Sequence, residues 1–199
     1  MNETASSREW TLTTAPTVEP ITLAEAKAQL RQDHDGEDPL ILSYIAAARQ
    51  AAEEWLGRGL LTQTWTLTCE GFTDVIWLPM AAPLQSVTSV KYYDTSHVQQ
   101  TLATTGYTVD TVSRPGRIVR AAAAVWPTTH YDHLSGAVEI VYKVGWSTPA
   151  AVPERIKQGI RLYVGALDAD RDGLDGNFLT AKHAAESCWT DRVYLRESC

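Results

Sequence analysis

Apolar residues recur at intervals of three and four near the N-terminus, a pattern that predicts amphipathic helices. In the first predicted helix, Leu23, Ala26 and Leu30 fall on one face. Thr22 precedes this stretch and Glu25 follows three residues later, the spacing of a capping box in which each side chain bonds a free backbone N–H of the first turn. A short helix is therefore expected to begin near Leu23.

A second, longer helix is predicted after an acidic break, with Asp38 as its N-cap and Pro39 as its first helical residue. Gly57 stands where a left-handed residue ends a helix. The apolar seam comprises Ile41, Ile45, Ala48, Ala52 and Trp55. The residues expected on the solvent side are Arg49, Gln50, Glu53 and Glu54. Apolar periodicity does not distinguish a seam inside a core from one shared with a neighbouring subunit, so both interpretations stay open.

From Leu61 onward the hydrophobic period changes to two, which is typical of β-strands. Trp65, Leu67 and Cys69 alternate with threonines, which predicts a strand with one buried face. Turn residues separate the strands, and no helix long enough for a parallel crossover lies between them, so an antiparallel sheet or small sandwich is expected. Further strands are predicted at 75–78, 87–93, 107–112, 117–119 and 137–144.

A third helix is predicted to begin at Pro153, with Ile156, Ile160, Tyr163 and Leu167 on one face. The expected fold class is α+β: a small helical core (20–59 and 152–170) with an inserted antiparallel β domain (60–150). Residues 1–19 are expected to be an extended arm rather than a folded element. Residues 171–199 form a polar tail that is expected to order only against a partner.

Charge and composition narrow the possible functions. The net charge is −7, and residues 1–59 carry five Lys and Arg against ten Asp and Glu. Nucleic-acid binding by counterion release needs clustered cations, so DNA is not expected to bind tightly. Three cysteines without metal-ligand spacing do not indicate a disulfide framework. No apolar run reaches the length of a membrane span, and no signal-peptide pattern begins the chain, so neither insertion nor secretion is expected.

Few patterns indicate chemistry. The stretch 168–173 places carboxylates and a glycine as at the start of a calcium loop, but Asp175 and Leu179 stand where that loop requires an apolar residue and a bidentate glutamate. His130 and His133 lack further metal ligands at a suitable spacing. Nucleophile-elbow, phosphate-loop and zinc-protease motifs are absent from the sequence. We therefore expect no catalytic, metal or cofactor site.

The chain resembles the head–tail connector (adaptor, or head-completion) proteins of tailed bacteriophages and phage-derived gene transfer agents. The resemblance covers about residues 18–170, and its specificity lies in the order and spacing of several short segments. These are EPITLAEAK (19–27), IAAAR (45–49), TQTW (62–65), PLQSV (83–87), RIV (117–119), WP (126–127) and VPERIK (152–157).

The resemblance implies a non-enzymatic role. Such proteins assemble in the bacterial cytoplasm as a ring of about twelve copies on the portal, a closed heterologous assembly. The ring extends the DNA channel and provides the docking platform for the stopper or tail, and DNA passes its lumen without sequence-specific binding. Expected partners are therefore further copies of the chain, the portal and a tail-side neck protein, with no membrane.

This role gives expectations for individual surfaces. Helix-two acids are expected to face the channel, the last helix and tail the portal, and the β region the neighbouring subunits and the tail. The candidates are Glu53 and Glu54 for the channel, Trp189, Arg192, Tyr194 and Leu195 for the portal, and Trp10 and Arg117 for subunit contacts. Two alternatives stay open: another neck component, such as a stopper or tail terminator, and a small hydrolase or ligand-binding β module with a pocket.

Overall fold

The computed structural model of the chain describes residues 8–130, 136–171 and 177–190. These residues form two compact units. The helical unit contains Pro16–Leu61 and the described residues from Trp146 onward, and the β unit contains the described residues up to Ala15 together with Thr62–Gly145. The α+β fold class predicted from the sequence is confirmed.

The N-terminal helices of the helical unit follow the sequence signals closely. α1 spans Leu23–Leu30, and its capping box is present: the backbone N–H of Glu25 donates to the Thr22 hydroxyl at 3.2 Å, and the Thr22 N–H donates to the Glu25 carboxylate at 2.7 Å. α2 spans Asp38–Leu56 and ends at Gly57, which has φ 65°. Asp38 is already helical and Glu37 is the N-cap, so α2 begins one residue before the predicted position.

Two further helices complete this unit. α3 spans Glu154–Ala169, directly after Pro153 as predicted, and α4 spans Asn177–Cys188. The expectation that 171–199 orders only against a partner is therefore wrong for α4, which packs on α3. Its small residues explain both the error and the packing, since they give a weak sequence signal yet allow close approach. The unit's buried core includes Ile41, Ile45, Leu56, Leu60, Ile156, Ile160, Val164, Ala185 and Trp189.

Backbone hydrogen bonding also joins the two points at which the chain leaves the helical unit and returns to it. Leu61 and Trp146 form an isolated parallel bridge, and the Trp146 N–H donates to the Leu60 carbonyl at 3.0 Å. The two ends of the segment that forms most of the β unit are thus held side by side by backbone hydrogen bonding.

The β unit contains two antiparallel sheets. The strands are β1 (Arg8–Thr14), β2 (Gln63–Cys69), β3 (Val75–Trp77), β4 (Leu84–Tyr93), β5 (Gln99–Thr101), β6 (Tyr107–Asp110), β7 (Arg117–Arg120) and β8 (Val138–Val144). The five-stranded sheet has the order β1-β2-β8-β4-β5, and the three-stranded sheet has the order β3-β7-β6. Every strand pair is antiparallel, as the turn-rich sequence predicts.

The core of the β unit lies on one face of the central strands. Leu67 of β2 stands opposite Ile140 of β8, and both are fully buried. The alternation seen in the sequence of β2 and β8 thus places their apolar residues on the core side. The remaining core residues include Cys69, Ile76, Leu78, Val90, Ile118, Val138, Tyr142 and Val144.

The N-terminal arm differs from its prediction. Residues 8–14 are extended, but they form β1 and pair with β2, with Trp10 opposite Leu67, Leu12 opposite Trp65 and a register shift between Leu12 and Thr14. Directly opposed residues of an antiparallel pair point to the same face of the sheet. Trp10 and Leu12, two residues apart, therefore continue the apolar face of β2, which explains why this segment joins the sheet.

Candidate connector surfaces

A buried ion cluster lies at the C-terminal half of α2. Arg49 donates to the carboxylates of Glu19 and Glu53, each at 2.8 Å, and the second Glu53 oxygen accepts the backbone N–H of Leu60 at 2.8 Å. Arg49 and Glu53 are each only 5% exposed. Because a buried charge is tolerated only when it is paired and hydrogen-bonded, this cluster holds the segments before and after α2 onto the helix.

The cluster corrects the expectation for the α2 surface. Arg49 and Glu53 were expected on the solvent side, and Glu53 was expected to face the channel, but both side chains are buried within the chain. The missed signal is the spacing of four that runs from Ile41 through Ile45 to Arg49 and Glu53, which places the two charges on the same stripe as apolar residues. Glu54 is exposed, as expected.

Glu54 borders a cleft of about 340 Å³ within the helical unit. Its lining consists of Ala51, Glu54, Trp55, Tyr163, Lys182, Glu186 and Trp189. Burial raises the pKa of the Tyr163 hydroxyl, and the nearby carboxylates of Glu186 and Glu54 raise it further because they oppose a second negative charge. The cleft thus combines the aromatic side chains of Trp55, Tyr163 and Trp189 with the charged side chains of Glu54, Glu186 and Lys182.

Trp189 lies in the core and is only 2% exposed. Its indole N–H donates to the Ile156 carbonyl at 3.3 Å, and its own carbonyl accepts the indole N–H of Trp55 at 3.1 Å. The expectation that Trp189 contacts the portal is therefore wrong for the isolated chain, because its ring is used to pack α4 against α3. The other portal candidates, Arg192, Tyr194 and Leu195, lie outside the described residues.

The close approach of α4 to α3 depends on a glycine. A Cβ atom built on Gly159 would lie 2.2 Å from the indole nitrogen of Trp189, closer than real Cβ contacts allow. Gly165, six residues further along α3, has no atom within 4 Å of such a Cβ. The first glycine is required by packing, whereas the second is not.

The two candidates for subunit contact lie in the β unit. Trp10 on β1 is 38% exposed. Arg117 on β7 donates to the Asp110 carboxylate at 2.8 Å, and its guanidinium lies 4.9 Å from the centre of the Trp77 ring. Arg117 is thus already engaged within its own chain, while the Trp10 side chain is exposed.

The neighbouring arginines are also held locally. Asp110 accepts hydrogen bonds from the backbone and hydroxyl of Ser113 and from Arg117, which hold the pKa of its carboxyl well below the usual range. Arg120 pairs with Asp74 at 3.3 Å and donates to the Ala124 carbonyl at 2.7 Å. The positive charges of Arg117 and Arg120 are therefore each paired with a carboxylate of the same unit.

Ion pairs also fix the acidic start of α2. Lys27 lies between Asp35 and Asp38, at 2.6 and 2.8 Å. Arg171 donates to both oxygens of Glu37 at 2.8 Å. Hydrogen bonds from Arg171 and then Gln32 lower the pKa of Glu37 to about 2. These contacts neutralise part of the acidity that the sequence concentrates in residues 1–59.

Within the described residues, no three His, Cys, Asp or Glu side chains are gathered closely enough to hold a metal ion. The rings of His130 and His97 are in contact, with centroids 3.5 Å apart and planes tilted by 41°, while His133 and residues 172–176 of the calcium-like stretch lie outside the described residues. Of the helices in the described part of the chain, none has both the length and the apolar character that crossing a bilayer requires.

Comparison with known proteins gives a consistent result. A family model described as phage gp6-like head-tail connector protein matches residues 20–113. Among solved structures, a chain in the neck of an empty gene transfer agent (GTA) particle, computed with C6 symmetry, is 25% identical, with 96% of this chain and 98% of that chain covered and a TM-score of 0.74. Comparison with curated protein sequences gives no significant match.

Two further solved structures share the fold. A chain from the virion of a native GTA particle is 22% identical, with 96% of this chain and 98% of that chain covered and a TM-score of 0.74. A chain from the neck of a native GTA particle, computed with C12 symmetry, is 22% identical, with 94% and 99% covered and a TM-score of 0.67. The resemblance inferred from the sequence is thus confirmed: the chain is similar to head–tail connector proteins over residues 20–113 and to a GTA neck chain over nearly its whole length, and these similar proteins are structural proteins rather than enzymes.

Proposed function

We propose that this structural connector is the head–tail adaptor of a phage-like particle, assembled in the bacterial cytoplasm and retained in the particle neck. It forms a ring on the portal, extends the DNA channel and presents the surface on which a stopper or tail docks. The observation that carries the proposal is the match of almost the whole chain, at 25% identity, to a chain of a GTA neck. The family match to head-tail connectors supports the same role.

A ring of about twelve copies is part of the proposal. The similar neck chains come from structures computed with C6 and C12 symmetry, both of which are compatible with twelve subunits. A closed ring of identical chains needs two different, complementary surfaces on each subunit. Trp10 is our candidate for one of them because its ring is exposed, and Arg117, on the central strand of the three-stranded sheet, stays a candidate in the same unit.

We place Glu54 on the channel side of the ring. Its carboxylate is exposed on a chain of net charge −7, and a lumen lined by carboxylates repels the phosphate backbone, so that DNA passes without binding. Glu53 has no part in this proposal because it is buried beside Arg49. The portal-facing role of the C-terminal residues Arg192, Tyr194 and Leu195 is likewise a proposal.

Assembly on the portal tests the adaptor role directly. The purified chain, alone and mixed with the portal protein of the same particle, is examined by native mass spectrometry and by electron microscopy. We expect a ring of chains on the portal and little ring without it. A chain that stays monomeric beside an assembled portal would contradict the adaptor role, and a chain found only at the tail side of the neck would favour a stopper or tail terminator instead.

A further inference from the structure

The outer edge of β1 has the features of an edge that a partner covers. Across 8–130, 136–171 and 177–190, β1 pairs only with β2, and its other edge has no strand beside it. Exposed edge strands are usually protected by lysine, proline, short length or a cover of other chain. β1 has seven residues, REWTLTT, with charges only at its first two positions and neither lysine nor proline, and its pairing with β2 is regular from Arg8 to Leu12, with an irregularity only between Leu12 and Thr14.

The side chains on β1 add an apolar surface to this edge. Trp10 and Leu12 lie on the same face as Leu67, which is fully buried, yet they are 38% and 44% exposed. The apolar face of the five-stranded sheet therefore extends beyond its own core onto the edge strand. An edge that offers backbone hydrogen bonds and an apolar flank together suits another polypeptide, since strand addition uses both.

We propose that a second copy of this chain covers the edge of β1, bonding to its backbone and burying Trp10 and Leu12. This inference rests on the proposed ring, in which each subunit has a neighbour on either flank. A neighbouring copy is the occupant we choose because it is present at every position of a closed ring. Nucleic acid does not fit this edge, because Trp10, Leu12 and the threonines between and after them offer no cations to phosphates.

The first test compares Leu12→Lys with two control variants in the full-length chain. Leu12→Lys places a charge on the apolar flank, whereas Thr11→Lys places the same charge on the opposite face of the same strand. Val98→Lys replaces another exposed apolar residue, 52% exposed and directly before β5, and so tests the same change away from β1. We expect Leu12→Lys to require about tenfold or more protein for ring assembly on the portal, as loss of a central contact would. Both controls should assemble at nearly the wild-type concentration.

The result separates the two proposals. If the wild-type chain and Leu12→Lys form rings on the portal at the same protein concentration, the proposed role of β1 is wrong, whereas the adaptor function is still supported. Absence of wild-type rings on the portal would overturn both. Thermal unfolding of each variant identifies a substitution that prevents folding rather than assembly.

A second measurement does not depend on a disruptive variant. A photoreactive benzoylphenylalanine replaces Trp10, and the protein is irradiated alone and after assembly on the portal. We expect cross-linked pairs of this chain only after assembly, and mass spectrometry of the linked peptides would identify the contacting segment. Links to the portal alone, or only to residues 191–199 of the same chain, would overturn the proposal.

Discussion

Glu53 connects three parts of the chain through one carboxylate. It pairs with Arg49 one helical turn earlier and accepts the backbone N–H of Leu60, while Arg49 reaches Glu19 ahead of α1. Removing one partner of a buried pair leaves the other charged and desolvated, which costs more than the pair itself contributes. The residue therefore matters for folding rather than for the surface of the particle.

We predict that Glu53→Gln lowers the free energy of unfolding by about 2 kcal/mol, because Arg49 keeps only the partly exposed Glu19 as a counter-ion and loses its charged partner in the core. Glu54→Gln, at the adjacent exposed position, should change it by less than about 0.5 kcal/mol. Urea denaturation of the full-length variants measures both. Similar losses in the two variants would contradict the distinction between a buried and an exposed acid.

The Glu37–Arg171 pair predicts a dependence on pH. The pKa of Glu37 falls from its ordinary 4.5 to about 2 in the folded chain. A depressed folded pKa stabilises the folded state above the unfolded pKa, and this stability is lost as the pH falls towards the folded value. Glu37→Gln should therefore be less stable than wild type near neutrality, and the difference should shrink between about pH 5 and pH 2.

Urea denaturation across this pH range measures the difference. In an Arg171→Gln background the Glu37→Gln substitution should show a much weaker pH dependence, because the largest cause of the shift has been removed. A difference that stays constant down to pH 2 would show that Glu37 acts through shape rather than charge.

At the scale of elements, α3 and α4 are held together by the Trp189 side chain, whose indole packs directly against Gly159. The Trp189 indole lies over Gly159 and bonds the Ile156 carbonyl, so that two backbones and one large side chain pack in the same place. Well-packed interiors resist added volume, since a single methyl group forces neighbouring atoms to move.

We predict that Gly159→Ala destabilises the chain by about 2 kcal/mol, because its methyl group would overlap the Trp189 ring. Gly165→Ala adds the same methyl group to the same helix where nothing is close, and it should stabilise the chain by up to about 1 kcal/mol through helix propensity. Thermal and urea denaturation compare the pair. Equal effects of both substitutions would mean that the indole does not constrain α3.

The elements that sequence predicts well are those with a strong period and clear ends. The capping box at Thr22, Gly57 after α2, Pro153 before α3 and the alternation in β2 and β8 each mark an element that the structure contains. β1 was missed as a strand because the residues of β2 that it pairs with lie fifty to about sixty positions further along the chain, and the spacing of Trp10 and Leu12 was its only local signal. α4 was missed because its inward residues, such as Ala181 and Ala185, are small.

The candidate surfaces were harder to predict than the fold. Exposure depends on which segments meet in space, and Glu53 and Trp189 became buried through contacts with Leu60 and Ile156 that no local pattern indicates. Glu54 and Trp10 were assigned to the surface and are exposed. Which partner each surface contacts is a property of the assembly and needs experiments on the particle.

At the scale of the whole molecule, negative charge is unevenly spread, and its excess lies in the N-terminal helical part. Lys27 and Arg171 neutralise several of those acids at the start of α2. Within the described residues, no ion pair neutralises Glu54, so its charge is available to act on a passing polyanion.

We predict that rings assembled from Glu54→Lys chains retain DNA more strongly than wild-type rings, because each subunit adds a cation to the channel. The binding should weaken steeply as salt rises, and retention on a DNA column at several salt concentrations measures it. Asp33→Lys, a matched change at another exposed acid of the helical unit, controls for net charge. Equal retention of both variants would place Glu54 away from the channel.

The bridge between Leu61 and Trp146 has a consequence for how such proteins diversify. It brings the departure and return points of the chain together inside the helical unit, so that this unit is closed by its own hydrogen bonds. Residues 62–145 can then change in length or sequence without displacing Leu61 or Trp146. The helical unit can thereby keep its own fold while the segment inserted in it varies.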